Sequence, residues 1–144
     1  MTSRLLLLTL LLSACTPGIQ MTQEEAVTRV EQLVRSTAAV LRPRPRLELI
    51  PYSVTPNPCD YDDGEPSRFT VNRAYWLRGL PQKSSADISR QIRAHWESSG
   101  HTITAQGSAD KPSLFAKSHP DNYTLALVWA EGDALYLAAT SPCL

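Results

Sequence analysis

Apolar residues recur along this chain in three rhythms, and each predicts a different element. Leu5 to Leu12 form a nearly continuous apolar run behind Arg4. That run is too short for a spanning helix, which needs about twenty apolar residues. From Ala26 the spacing turns helical: Ala26, Val27, Val30, Leu33, Val34, Thr37 and Leu41 line one stripe, with Glu24, Glu31 and Arg35 off it. Thr22 followed by Glu25 is a capping-box start, and Pro43 is a stop. A second stripe, Ile88, Ile92 and Trp96, is opened by a capping-box match from Ser84 to Asp87 and closed by Gly100.

Alternation predicts strands elsewhere. Leu47 and Leu49 alternate with Arg46 and Glu48 as far as Pro51. Ser67 to Leu77 is the next strand, with Phe69 and Val71 on one parity and Ala74 and Trp76 on the other. The change of parity implies a bulge near Arg73 or a strand covered on both faces. After Gly100 come Thr102 to Ala105, Leu114 to Ser118, Tyr123 to Trp129 and Ala134 to Thr140, with turns at Asp121-Asn122 and Gly132-Asp133. Tyr52 to Pro66, rich in proline and acids, is predicted as a loop.

The order α-β-β-α-β-β-β-β predicts an α+β fold, with two helices packed on one face of an antiparallel sheet of about five to six strands. Tyr123, Leu125, Leu127 and Trp129 are assigned to the helix-covered core. Thr124, Ala126 and Val128 fall on the opposite face, which Trp76 and Tyr136 share by parity.

The first rhythm gains meaning from the residues at its end. Leu12-Ser13-Ala14-Cys15 places small residues and then a thiol after the apolar run. A positive start, an apolar stretch and small residues make a signal sequence rather than an anchor helix. The run resembles the bacterial lipobox, which implies diacylglycerol attachment to Cys15 and cleavage before it. Residues 1–14 are then a lipoprotein signal peptide, 15–21 a lipid-anchored tether and 22–144 a single domain. Two or three acyl chains, each buried CH₂ contributing about 0.8 kcal/mol, hold such a protein stably at the extracytoplasmic side of the cell membrane.

Charge and cysteine usage narrow the partners. Fourteen basic and fourteen acidic side chains balance, so net charge gives no field that would select nucleic acid. The remaining cysteines, Cys59 and Cys143, are an even pair in an exported chain, where oxidising conditions favour a disulfide. Two free thiols or a metal pair are the alternatives.

Candidate chemistry is sparse. Asp60, Asp62, Asp63 and Glu65 suggest calcium, but Glu65 stands where the helix-loop-helix calcium motif needs glycine and Val71 where it needs glutamate, so a solvated loop is expected. His95, His101 and His119 lack zinc-ligand spacing, and no G-x-S-x-G or S-x-x-K motif is present. No catalytic residue, metal or cofactor is therefore assigned. Arg42, Arg44 and Arg46 form a proline-spaced basic cluster, read as a solvated connector or as a contact for anionic headgroups. Four aromatics are candidate ligand anchors: Tyr52 and Tyr61 in the long loop, Trp76 and Tyr136 on the uncovered face.

The lipobox, the amphipathic first helix, the helix ending in tryptophan and glycine, and the C-terminal Ser141-Pro142-Cys143 resemble small actinobacterial LppA-like lipoproteins of unknown function. A bias toward arginine over lysine, suggesting a GC-rich genome, agrees with that source. The resemblance implies an envelope location and a Cys59–Cys143 disulfide, and carries over no catalytic residue. The expectation is a non-enzymatic, membrane-anchored binding module whose partner is another envelope protein. The alternative is a carrier or sensor of a small envelope ligand, a lipid or a cell-wall fragment, held between helices and sheet near Leu33, Ile92, Trp96 and Leu127.

Overall fold

The computed structural model describes Met21 to Leu144; the leader, Cys15 and the tether as far as Gln20 lie outside the described residues. Helix α1 spans Gln23–Ala39 and helix α2 Ser85–Ser98. The strands are β1 (Arg46–Leu49), β2 (Asn57–Asp62), β3 (Glu65–Thr70), β4 (Asn72–Arg78), β5 (Thr102–Gln106), β6 (Leu114–Lys117), β7 (Thr124–Ala130) and β8 (Ala134–Thr140). Six of them form one sheet in the order β1-β4-β8-β7-β6-β5, antiparallel throughout. Both helices lie on one face of it, so the α+β architecture expected from the patterning holds.

Local chemistry explains the ends of α1. The Thr22 hydroxyl accepts from the Glu25 amide (3.1 Å) while the Glu25 carboxylate accepts from the Thr22 amide (2.9 Å), the reciprocal box the spacing predicts. The helix stops at Ala39, short of the apolar stripe's last member, and Leu41 reaches the core from the turn beyond. Arg42 donates through Nη1 to the Ala39 and Leu41 carbonyls (3.0 and 2.8 Å), supplying donors at the helix's negative end.

The start of α2 departs from expectation. The Ser84 hydroxyl bonds back to the Pro81 carbonyl (2.6 Å), and Asp87 turns to Arg90 and Gln91, so no capping box forms. Asp133 takes over that end from the β7–β8 turn, accepting from Ser85 Oγ (2.7 Å), the Lys83 amide (3.2 Å) and Trp129 Nε1 (2.9 Å). Trp129 consequently sits at the rim of the core rather than inside it, while Tyr123, Leu125 and Leu127 are buried as assigned.

Between helices and sheet the core is continuous, from Val30, Leu33 and Val34 on α1 through Ile88, Ile92 and Trp96 on α2 to Leu125, Leu127 and Leu137. One polar contact crosses it. The buried Thr37 hydroxyl donates to the Leu33 carbonyl (2.8 Å) and accepts from Trp96 Nε1 (3.0 Å), so the indole N–H is buried with a partner.

The stretch predicted as a loop, Tyr52 to Pro66, is a 3-10 turn (Pro51–Val54) followed by most of a β2–β3 hairpin. Asp63 and Gly64, at φ 50° and 80°, form the tight connection. Two successive left-handed residues match the twist of the flanking strands, and Asp-Gly supplies them at low cost. The expected Ser67–Leu77 strand is likewise two strands, β3 and β4, parted at Val71. There the chain leaves the sheet's end, and β4 itself is covered on both faces, which accounts for its mixed parity.

The chain beyond β8 secures this hairpin. Val71 and Phe69 pair with the tail: the Ser141 amide donates to the Val71 carbonyl (2.9 Å), and Phe69 and Leu144 exchange backbone bonds (3.2 and 2.9 Å). The hairpin thus prolongs the β4–β8 ladder past the end of the sheet. The Cys59–Cys143 disulfide closes the same junction across 84 residues of sequence, with the Cα atoms 5.9 Å apart.

Two stability outcomes are expected. Reducing the disulfide removes a cross-link that contributes about 4–5 kcal/mol in the chain-entropy account; denaturant melts with and without reductant should differ by an amount of that order, and coincident curves would mean the link is energetically idle. Thr37→Val keeps the side-chain volume but strands the buried Trp96 N–H, so denaturant melts should show a loss of about 1–3 kcal/mol, whereas Thr37→Ser, which keeps the acceptor, should retain the Trp96 hydrogen bond; equal losses in the two variants would mean that the hydrogen bond contributes nothing.

Candidate functional site

The sheet face without helices carries its side chains in cross-strand rows fixed by the register. Ala74, Ala138 and Ala126 stand side by side, and Phe115 extends the row onto β6. One row toward the Arg46–Arg78 end are Trp76, Tyr136 and Val128. On the other side run Asn72, Thr140, Thr124, Lys117 and Thr102. Small residues between two taller rows make a trench, aromatic on one side and polar on the other.

The polar row is cross-linked within itself. Thr140 Oγ1 donates to Asn72 Oδ1 (2.8 Å), and Lys117 Nζ donates to Thr124 Oγ1 (2.8 Å). On the aromatic side Trp76 and Tyr136 meet edge to face, with centroids 5.4 Å apart and planes at 85°, an attractive arrangement for two ring quadrupoles. The Arg78 guanidinium lies 5.1 Å from the centre of the Trp76 ring, and Glu48 holds Arg78 by a 2.8 Å ion pair. The Arg78 guanidinium in turn keeps the Glu48 carboxyl below its ordinary range.

The trench becomes a cleft because the 3-10 turn folds over its β4 end. Beyond Leu49 the β1 ladder runs out, and the buried Ser53 side chain takes its place: Ser53 Oγ accepts from the Ala74 amide (3.1 Å) and donates to the Ile50 carbonyl (2.7 Å). That pins Tyr52 and Asn57 beside the alanine floor. The resulting cleft, about 370 Å³, is lined by Tyr52, Asn57, Asn72, Phe115, Tyr136 and Thr140 around the small residues. Burial, followed by the proximity of Tyr52, pushes the Tyr136 phenol above its ordinary value. Among the described residues that line this cleft there is no Asp, Glu, His, Lys, Arg or Cys.

The four aromatics predicted as anchors therefore divide. Tyr52, 80% exposed, meets Tyr136 in the cleft, and Trp76 supports Tyr136 from the next strand. Tyr61 stands apart on the exposed hairpin. Ser53, Asn57, Asn72, Phe115 and Thr140 carry no signal in the sequence; strand register brings Asn72, Phe115 and Thr140 onto one face, and the 3-10 turn brings Ser53 and Asn57 to them.

A second cleft of about 400 Å³ lies between Leu77–Ser85 and Gly132–Leu135. Asp133 already satisfies the start of α2 there, so this opening belongs to the scaffold. The volume anticipated between helices and sheet is filled: Leu33, Ile92, Trp96 and Leu127 are 4%, 0%, 1% and 0% exposed.

The histidines converge although their spacing gives no sign of it. The His119 amide donates to His101 Nδ1 (3.2 Å), and His119 Nε2 lies 2.8 Å from Thr102 Oγ1. Nearby, Arg29 pairs with Asp121 (2.6 Å), which also accepts from Ser118 Oγ (2.6 Å). Among the described residues no three His, Cys, Asp or Glu side chains gather to hold a metal. Burial lowers the affinity of His95 and His101 for protons below the ordinary pKa of 6.5; Arg29, His95 and His119 add to this at His101, and Asp121 opposes it.

These shifts give stability a pH dependence of definite sign. Below 6.5 the unfolded chain takes up protons at these two histidines before the folded one does, so stability is full above that pH and falls as pH drops toward the folded values. Asp121 and Asp133, both held below 3.8, weaken only at still lower pH. Chemical denaturation from pH 7.5 to 5 should show the decline, and His101→Gln should flatten it; an unchanged slope in the variant would exclude His101 as a source.

Comparison with protein-family models, with curated proteins and with solved structures finds no match to this chain.

Proposed function

We propose that this chain is an extracytoplasmic lipoprotein, held at the cell membrane by a lipid on Cys15, whose domain is a non-catalytic module binding another protein of the envelope. The observation that carries the binding role is the outer-face cleft, a shallow opening above the buried Ile50–Ala74–Ala138 cluster, rimmed by the exposed Tyr52, by Tyr136 and by the polar Asn57, Asn72 and Thr140. An exposed tyrosine at the edge of such a cleft offers a large apolar area at low entropic cost, the pattern of a binding anchor. No carboxylate, imidazole, amine or thiol lines the cleft, and its Ser53 and Thr140 hydroxyls are donated into the fold, to the Ile50 carbonyl and Asn72 Oδ1, which favours binding over group transfer.

The lipid anchor is supported by the leader and by Leu12-Ser13-Ala14-Cys15. Among the described residues no helix is long and apolar enough to cross a membrane. The small-ligand reading survives in altered form. With the inner core filled, a lipid or wall fragment would occupy the outer cleft, whose volume falls within the range of about 300–1,000 Å³ usual for ligand sites.

Tyr52→Ala separates binding from folding. Its side chain is 80% exposed, so stability should change by less than about 0.5 kcal/mol. Cross-linking in intact cells of the producing organism, followed by mass spectrometry, should recover a reproducible protein partner with the parent chain and lose it with the variant. Recovery of lipid or glycan alone would replace the protein-partner reading with the small-ligand one. Mass measurement of the N-terminal peptide tests the anchor independently: an unmodified Cys15 would end that part of the proposal.

A further inference from the structure

A strand at the edge of a sheet presents unpaired backbone groups, and bulges, charges or a covering segment normally blunt it. The edges of this fold differ in that respect. Along β5 the register slips between Ile103 and Ala105, and the β2–β3 pair slips twice, around Asp60. The outer side of β3 is occupied by the tail, through Phe69 and Leu144. β1 alone among these edges pairs with its neighbour in unbroken register and has nothing on its other side.

The direction of its backbone groups follows from one bond. The Ile50 amide donates to the Ala74 carbonyl (2.9 Å), so Ile50, and by alternation Glu48 and Arg46, turn their backbone groups toward β4. Leu47 and Leu49 turn theirs outward, where they have no hydrogen-bond partner among the described residues. The open stretch is bounded by Pro45, which lacks an N–H, and by Pro51, where the 3-10 turn begins.

The side chains on the outer face of β1 are Arg46 and Glu48. Arg46 stands directly opposite Arg78, a pairing of like charges across the ladder. Arg78 is matched, through Nε, to Glu48 Oε2 at 2.8 Å. Arg46 forms no ion pair among the described residues. The strand thus displays one unmatched cation and, two positions on, a carboxylate with its second oxygen uncommitted.

We propose that β1 pairs with β1 of a second copy of this chain, antiparallel about a two-fold axis at Leu47. In that register the outward N–H and C=O of Leu47 meet the same groups of the other copy, and Arg46 of each chain lies opposite Glu48 of the other. Each unmatched guanidinium gains a carboxylate at both symmetry-related positions. Centring the axis on Glu48 instead would set carboxylate against carboxylate, and centring it on Leu49 would bring Leu47 opposite Pro51, which has no N–H to give. On the helix-covered face Leu47 meets its own copy, with the 40% exposed Leu49 at the diagonal. Joining β1 to β5 would propagate into a filament, and the bulge in β5 opposes it; pairing β1 with itself closes after two copies. A ladder of four residues makes a small, reversible contact, in the class below about 1,200 Å². The pairing depends on neither the cleft nor a lipid on Cys15.

Sedimentation equilibrium of the full chain in an uncharged, density-matched detergent reads the association, and the parent should dimerise reversibly as its concentration rises. Arg46→Glu sets acid against acid at both contacts and Glu48→Arg sets base against base, so each variant alone should associate about tenfold or more weakly. Mixed in equal amounts, the two variants present opposite charges at both contacts and should associate about as tightly as the parent. Arg90→Glu, a charge reversal on α2, should change nothing. Thermal melts check that each variant folds; in Arg46→Glu the new carboxylate faces Arg78 and favours the fold. A parent chain that stays monomeric would overturn the proposal and leave the edge for a strand of a different chain. Variants that associate as the parent does, as chance sharing of a micelle would produce, would also overturn it. So would a mixture no tighter than its components.

Discussion

The last strand of the chain lies in the middle of the sheet, and most of the structure depends on that placement. β8 pairs with β4 on one side and β7 on the other, so six strands cannot form one sheet until residues from the chain's end have arrived. Its inner side chains, Leu135, Leu137 and Ala139, are buried beneath the helices, and its outer ones form part of the cleft. The four residues after it then bind the hairpin through Phe69, Val71 and Cys59. One short C-terminal stretch thus supports the core, the floor of the cleft and the projecting arm. A disulfide at its far end acts where contacts of long sequence separation have the largest entropy to overcome.

Two serines show how the sheet ends without leaving polar groups stranded. Where β1 runs out, Ser53 Oγ satisfies the Ala74 amide; where β8 runs out, Ser141 Oγ satisfies the Val71 amide (2.9 Å). Both side chains are buried, and each stands in for a carbonyl that an additional strand residue would have supplied. The substitution has different consequences at the two places. At Ser53 it turns the backbone across the outer face and positions Tyr52. At Ser141 it lets the β4–β8 ladder continue into the hairpin with the chain free to change direction at Val71.

Periodicity is a sound guide wherever burial decides the structure. The stripes of α1 and α2, the inward set on β7 and the capping box at Thr22 are all legible, because a helix or strand with one wet face records its surroundings in its spacing. Tyr52–Pro66 misleads because its hairpin buries almost nothing, so neither strand alternates. Prolines and acids then look like loop, although Asp63-Gly64 is a hairpin signal in its own right. The failed cap at Ser84 has another cause: Asp133, which serves α2 instead, is separated from Ser85 by 48 positions. The cleft is legible only in part. Parity places Trp76 and Tyr136 on the same face, but the neighbourhood of Asn72, Phe115, Thr140 and Tyr52 depends on register and on a turn, which spacing along one strand does not encode.

The charge pattern extends the same lesson from single strands to the whole molecule. Composition reports only a sum, and here the sum is zero. The chain starts α1 beside Tyr123, meets Gln91 of α2 just after that helix, and reaches Arg46, opposite Arg78, only where the first strand begins. Arg35, Arg78, Arg90 and Arg93 are matched to Glu31, Glu48, Asp87 and Glu97, most of them within one helix or between paired strands, so these groups contribute little net field. On the hairpin Arg68 lies 3.6 Å from Asp60, while Asp62, Asp63 and Glu65 form no ion pair among the described residues, and neither do Arg42, Arg44 and Arg46 on the proline-spaced segment. A field built this way falls off within about a Debye length, roughly 8 Å at physiological ionic strength. It therefore acts on whatever lies directly against each group of charges.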